Sequence, residues 1–511
     1  KKDLMMLEIH AVTTLTITAD NKNAYLKGLF KPNAVEYNAN TESLKVIGEI
    51  PVDLNGVYVR NTHNQIHEPM SQYHPFDGDG MLHSAYFKDG KMEYRNRFVE
   101  TTGLLAEKAA GKSLWPGLLE PGMAARRGWG AIGAMKDNAG TDVICHAGKL
   151  LAVMSQGSEP WRLDPITLEN LGPDKNWAKL LKDGVAGEFK VDEHTGDMMF
   201  MNYPETPPYM NYGVVDKHNN LVHYVPIELP GARWPHDIGM TENYCILHDL
   251  PFFNEEKLFK KGIRKLKFHD DIASRFGIIP RFGTSADVQW FEATPCFILH
   301  LANCYEDCDE VVMDGCISLN PLMADIAGDT RDMNEKISAH LDKHNTQTRL
   351  HRWRFNLITG ETHEEFLDQE VIEFPVCRGD YKGYKYRYAY ASLFKKGEWL
   401  MEGFKKYDLE TGVHTKYMYG PGRYGSELSV AKRTNSTSED DAYLLTFIQD
   451  INNDTSECAI FDAKNILQGP IARVMLPERI SSGTHACWVD EYRLYGEKQT
   501  LDVNQGGPEH D

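Results

Sequence analysis

The chain has 511 residues, enough for two or three ordinary domains or for one large closed β architecture. Its 41% hydrophobic and 25% charged residues are those of a folded chain, not a disordered or collagen-like one. A formal net charge of -19 argues against broad nucleic-acid binding, which needs a basic face, and no apolar run approaches the ~18 residues of a membrane span. The nine cysteines are scattered without a CxxC pair, and the first residues, "KKDLMMLEIH", lack an apolar signal core. Both features predict a soluble, cytoplasmic protein with reduced thiols.

In chain order, one local pattern keeps returning: an apolar strand, an Asp or Asn, a short turn, then a second alternating strand. It begins with "YFKDGKMEYRNRFV" (86–99), followed by a predicted helix over 103–112 ("GLLAEKAAGK"). It recurs as "WRLDPITLENLG", "FKVDEHTGDMMF" and "GVVDKHNNLVHYVPI". A second predicted helix, over 330–345, precedes "WRFNLITGETHEEF", "KKYDLETGVHTKYMYG" and "IFDAKNILQGPIARVML". Glycine supplies positive φ in these turns, and Asp or Asn closes them through side-chain hydrogen bonds. Such repeated hairpins predict an all-β propeller, each blade ending in a hairpin at its outer edge. No linker divides the chain, so one propeller domain is predicted over 1–511.

Twenty histidines make any single one weak evidence, since imidazole fills many roles. Three contexts stand apart. His236 in "RWPHDIGMTENYCIL" opens a short strand beside an Asp; His300 in "CFILHLANCYED" ends an apolar strand; His485 in "ISSGTHACWV" sits among small residues before one. An imidazole at the inner end of a strand points into a propeller's axial channel, where blades far apart in sequence can converge on one metal ion. Short-range spacing rules neither support nor exclude such a site.

These residues lie in motifs that resemble the carotenoid cleavage oxygenases. The matches are "LNGVYVRNTHNQ", "YHPFDGDGMLHS", "VICHAGKLLAVMSQGSEPWRLDPITLENLG", "PHDIGMTENYCILHDLP", "RFGIIPR", "HLANCYED", "EFPVCRGDYKGYKYRYAY", "SEDDAYLLTFIQD" and "GTHACWV". The resemblance implies a seven-bladed propeller with helices and loops over the active-site face. It also implies an axial non-haem Fe(II) and O2-dependent cleavage of a conjugated C=C bond into two carbonyls. His236, His300 and His485 fall on three of the family's four histidine ligands. Glu373 and Glu427 match two glutamates that accept hydrogen bonds from ligand imidazoles. The third such position reads Ser155, with Gln156 and Glu159 nearby. Thr141 matches a residue beside an open iron position.

The fourth ligand departs from the family. Where it writes Ala-His-Pro-Lys-x-Asp before a Thr-Gly turn, this chain has "GEFKVDEHTG". With Lys190, Asp192 and Thr195-Gly196 in register, Glu188 takes the histidine's place, and His194 falls in the turn. Glu188 is therefore the predicted fourth ligand. The rival outcome is a weaker three-histidine site in a catalytically poor ligand-binding propeller. A third reading, isomerisation with ester cleavage as in the retinoid branch, consumes no O2.

The resemblance leaves two substrate classes, apocarotenoids and aryl alkenes such as phenylpropenoids or stilbenoids. Phe98 and Trp115 are predicted to line the pocket with Thr141. The lysine typical of hydroxystilbene enzymes is replaced by Gly117, which cannot clamp a phenol. Leu104, Leu105, Leu114, Trp115, Leu118 and Leu119 could line a substrate entrance or touch a membrane peripherally. An amphipathic helix covering the propeller face explains them equally well.

Overall fold

Seven antiparallel sheets follow one another around a common axis in the computed structural model, which describes residues 7–70, 72–118, 136–155, 157–261, 266–321 and 331–495. Blades two to six are each built in chain order from the axis outwards. Their innermost strands are Asp142–His146, Lys190–Val191, Gly239–Met240, Phe297–Asp307 and Ile372–Val376. In blade seven, Arg423–Tyr424 and Ser429–Lys432 both pair with Ala442–Asp450.

The two ends of the described chain close the ring. In blade one the innermost strand is Ala486–Asp490, paired with Gly56–Arg60 from the other end of the chain. In blade seven the outermost strand is Val46–Gly48, paired with Ala472–Val474. Ring closure therefore ties early residues to late ones in two neighbouring blades.

The hydrophobic core lies between blades rather than within them. Each pair of neighbouring blades encloses its own cluster, for example Ile246, Phe276, Met313, Trp353 and Phe355 between blades four and five. Leu445, Phe447, Ile460 and Val474 meet Tyr58, Phe87 and Tyr94 where the ring closes. Both faces of a blade are covered, so central strands such as Ala442–Asp450 are buried at nearly every position. Each buried Leu, Ile, Val or Phe contributes about 1.5–3 kcal/mol relative to exposure.

All seven predicted hairpins form. Six lie in the outer parts of their blades, as expected. The exception is Lys190–Val191 with Met198–Asn202, which is the innermost pair of blade three. Its turn contains His194, as the register predicts; the residue is exposed, with Nε2 on the Asp380 carbonyl at 2.8 Å.

The predicted helix over 103–112 forms as Thr102–Ala110, capped by Thr101 and ended by Gly111 at φ 66°. The second becomes two pieces, Met333–Leu341 and Lys343–Thr346. Asp342 ends the first and caps the second. The first of these pieces packs Ile337 and Leu341 against Phe374, Phe394 and Trp399, closing a cluster over the axial end of the propeller.

Candidate metal centre

His236 precedes its strand, Gly239–Met240, rather than opening it, and His300 lies inside Phe297–Asp307 rather than ending a strand. Each of the seven blades contributes one residue within three positions of the start of its innermost strand. These are Thr141, Glu188, His236, His300, Glu373, Glu427 and, from blade one, His485. Because every innermost strand runs the same way along the axis, these positions meet at one end of the channel. Ordinary strand geometry does not suffice at two of them. Glu188 has φ 67° and Phe374, directly after Glu373, has φ 52°. A non-glycine residue in this left-handed region costs about 1–2 kcal/mol, a cost that persists where the surrounding structure over-determines it.

Glu188, His236, His300 and His485 each offer one ligand atom, all within 4.8 Å of one another. Glu188 Oε1 is 2.7 Å from His485 Nε2, 3.5 Å from His236 Nε2 and 3.7 Å from His300 Nε2. The opposite ring nitrogens of His300 and His485 are engaged by carboxylates. His300 Nδ1 donates to Glu373 at 2.5 Å, and His485 Nδ1 lies 3.3 Å from both oxygens of Glu427. Glu373 is held in turn by the Phe374 N–H, and Glu427 by the Ala486 N–H. Among the described residues, Glu188 is the carboxylate that pairs with His236.

This donor set fits a divalent cation. With Nδ1 protonated toward a carboxylate, an imidazole presents a lone pair at Nε2. Several lone pairs and an anionic oxygen can then converge on one buried point, an arrangement that a bound cation satisfies. Glu188 Oε1 is buried and makes no well-aligned hydrogen bond despite its close imidazoles. Without a cation, a proton on His485 plays the same part against Glu188. Burial alone would raise the Glu188 carboxyl, but His485, His236 and His300 hold it well below the ordinary range. Burial alone would lower His485, but Glu188 and Glu427 raise it well above the ordinary histidine value. Three imidazoles and one carboxylate suit a borderline first-row ion such as iron.

Replacing Glu373 with glutamine is expected to weaken metal binding by about 10–100-fold while leaving the fold intact. Competition with a coloured chelator measures this. An unchanged affinity would show that the Glu373–His300 bond does not tune the site.

Thr141 and Trp115 come together in a small cavity with Met154 and Ser155. Thr141 accepts a hydrogen bond from the Ser155 N–H, and its carbonyl accepts one from the Thr484 hydroxyl next to His485. Phe98 departs from expectation. It is 1% exposed and packs with Ile66, Met81 and Leu104 beneath the covering helix, outside the cavities at the axis. Strand Lys91–Phe98 is the fourth from the axis in its blade, which keeps its side chains away from the channel.

At the third glutamate position the structure places no carboxylate. Ser155 has its carbonyl on the Tyr203 hydroxyl, Glu159 is exposed, and Gln156 lies outside the described residues. Gly117 has a physical reason to be glycine, since a Cβ there would meet Asp77 Oδ2 at 2.0 Å. Asp77 is fixed by the Leu118 and His74 N–H groups. The apolar residues around Trp115 turn mostly inward: Leu104 and Trp115 are buried, Leu114 and Leu118 half-buried, Leu105 exposed, and Leu119 lies outside the described residues. No helix among the described residues is long and apolar enough to cross a membrane, and all nine cysteines are free.

A buried charged layer beside the centre was not foreseen. Lys190 Nζ lies 2.6 Å from Asp237 Oδ1 and 3.7 Å from Glu188 Oε2, and Asp237 Oδ2 accepts the Leu301 N–H at 2.7 Å. Asp142 lines one cavity with Glu188, Lys190 and Asp237, its carboxyl pushed up to about 6 by burial and by Glu188. The available signal was a charged residue directly after Thr141 and His236 and two after Glu188, namely Asp142, Asp237 and Lys190.

Seven blades closing on three imidazoles and a carboxylate define a β-propeller with an axial candidate metal centre. The chain belongs to the family described as RPE65, retinal pigment epithelial membrane protein, whose profile matches residues 30–490. It is 34% identical to carotenoid 9,10(9',10')-cleavage dioxygenase 1 of Phaseolus vulgaris, over 92% of this chain and 90% of that protein. It is 30% identical to lignostilbene-alpha,beta-dioxygenase isozyme III of Sphingomonas paucimobilis, over 92% and 97%. Isoeugenol monooxygenase of Pseudomonas nitroreducens is 28% identical, over 91% and 97%. In fold, the chain superposes on the crystal structure of Pseudomonas brassicacearum lignostilbene dioxygenase with a TM-score of 0.80. That match has 24% identity and covers 94% of this chain and 100% of that one.

Proposed function

We propose that this protein is a non-haem Fe(II)-dependent dioxygenase that cleaves a conjugated C=C bond of an apolar substrate, an apocarotenoid or an aryl alkene of the phenylpropenoid or stilbenoid type, into two carbonyl products. The observation that carries the reading is the convergence of His236, His300, His485 and Glu188 on one buried point, with two imidazoles backed by carboxylates. Iron(II) held there supplies the O2-activating chemistry that an alkene and the side chains lack. No reductant is required, because both oxygen atoms end in product.

The protein's own residues perform the remaining tasks. Glu373 and Glu427 hold the imidazoles in one tautomer and one orientation. Phe374, its ring centroid 4.5 Å from that of His300 and 5.1 Å from that of His485, packs against both ligands and excludes water. Thr141 and Trp115 line one small cavity, in keeping with a substrate-binding role. Relatives named for carotenoid, lignostilbene and isoeugenol substrates support the alkene reading over isomerisation with ester cleavage.

The test offers the iron-loaded protein a mixed panel of apocarotenoids and aryl alkenes, with O2 uptake and product masses recorded together. One O2 consumed per alkene, with two carbonyl fragments, is the expected outcome. Alcohol products without O2 uptake, or binding without turnover, would overturn the reading.

A further inference from the structure

We infer that Lys190 is a positioning residue that holds Glu188 to one-oxygen coordination, keeping a coordination position free at the centre. The inference rests on Glu188 being a metal ligand, as proposed above, and goes on to say how it binds. A carboxylate can bind through one oxygen or two, and the second mode takes a site that O2 or substrate would otherwise use.

The two oxygens of Glu188 face different partners. Oε1 makes the contacts to the three imidazole Nε2 atoms, at 2.7, 3.5 and 3.7 Å. Oε2 makes the contact to Lys190 Nζ, at 3.7 Å. The ammonium is firmly placed, because the same nitrogen lies 2.6 Å from Asp237 Oδ1 and the Lys190 side chain is only 19% exposed. Asp237 is itself anchored by the Leu301 and Ile238 N–H groups. Lys190 is two residues after Glu188, Asp237 directly follows His236, and Leu301 directly follows His300. One ammonium–carboxylate pair therefore ties together the backbone beside three candidate ligands in three successive blades.

The left-handed backbone at Glu188 adds a second constraint, fixing the direction in which its side chain leaves the chain. A neutral imidazole at this position would need no such restraint, having one free lone pair at Nε2. A carboxylate does, and the cation that supplies it stands on the side away from the imidazoles.

The test uses the full chain loaded with Co(II), whose visible absorption reports coordination number. Wild type, Lys190→Met, Lys190→Arg and Glu188→Ala are compared for their spectra, Co(II) affinity and binding of azide to the loaded centre. In Lys190→Met, Oε2 is expected to turn onto the ion: the visible bands weaken, and azide affinity falls by about tenfold, as for loss of an outer partner. Lys190→Arg should restore both. A Lys190→Met protein with wild-type spectrum and azide affinity would overturn the inference. If Glu188→Ala keeps the wild-type spectrum and Co(II) affinity, Glu188 is not a ligand, an outcome distinct from failure at Lys190. Removing a buried cation beside Asp237 also risks misfolding, so a crystal structure of the Co(II)-loaded wild type provides an independent reading. One Glu188 oxygen at about 2.1 Å from the ion, with the other on Lys190, supports the inference, and two bonded oxygens would overturn it.

Discussion

Glu188→Ala loses metal and alkene cleavage together, with an affinity drop of more than about 100-fold. Even outer partners of metal ligands cost 10–100-fold, and this substitution removes a direct donor and its negative charge. It also leaves three lone-pair-bearing imbalances unresolved: His236, His300 and His485 retain their geometry but lose the anion at 2.7–3.7 Å that completes the set. Stability is expected to fall as well: alanine keeps the left-handed strain at φ 67°, and loss of the buried carboxylate leaves His485 and Lys190 without their shared anion. Glu188→His is the informative companion. It recreates the four-imidazole set that the resemblance implies, so metal retention should survive while the net charge of the centre rises by one. Metal analysis after gel filtration, with cleavage assayed on the same samples, checks both. Wild-type metal content and activity in Glu188→Ala would remove Glu188 from the centre and leave a three-histidine site.

A chain ended after Thr484 is expected not to fold cooperatively. The missing residues form the innermost strand of blade one, where Ala486–Asp490 pair with Gly56–Arg60. Without them the inner edge of that blade is unpaired at the most crowded radius of the ring. The truncation also removes Val489 and Leu494, both buried between blades one and two. Their burial contributes about 1.5–3 kcal/mol each, a large share of the 5–15 kcal/mol by which domains are stable. Full-length His485→Ala is the control: it removes the candidate ligand but keeps the strand, so it should melt cooperatively while failing to retain metal. Thermal unfolding followed by circular dichroism separates the two. A cooperative melt of the truncated chain near the wild-type midpoint would show that ring closure is dispensable.

Much of this protein was legible without coordinates, and the reasons are local. The seven hairpins and the helix at Thr102–Ala110 depend on residues within a few positions of one another. Family motifs carried His236, His300 and His485, and the Lys190–Asp192–Thr195–Gly196 register separated Glu188 from the more conspicuous His194. What failed did so through distance. Phe98 looks like a pocket residue in its motif, but its strand stands fourth from the axis. The hairpin of blade three reads like the other six, yet it alone is innermost in its blade, because its first strand begins beside the axis.

The sequence by itself determined the strands, the turns, the propeller class and which four side chains were candidates for the metal. Strand alternation and turn chemistry are properties of neighbouring residues, and family motifs are contiguous. Only the tertiary structure decided that seven positions near the starts of the inner strands, tens of residues apart, meet at one end of a channel. It alone set Glu188 Oε1 toward three imidazoles and Oε2 toward Lys190. Those facts depend on ring closure and on the orientation of each blade about the axis, which arise from packing between blades and leave no short-range mark on the chain.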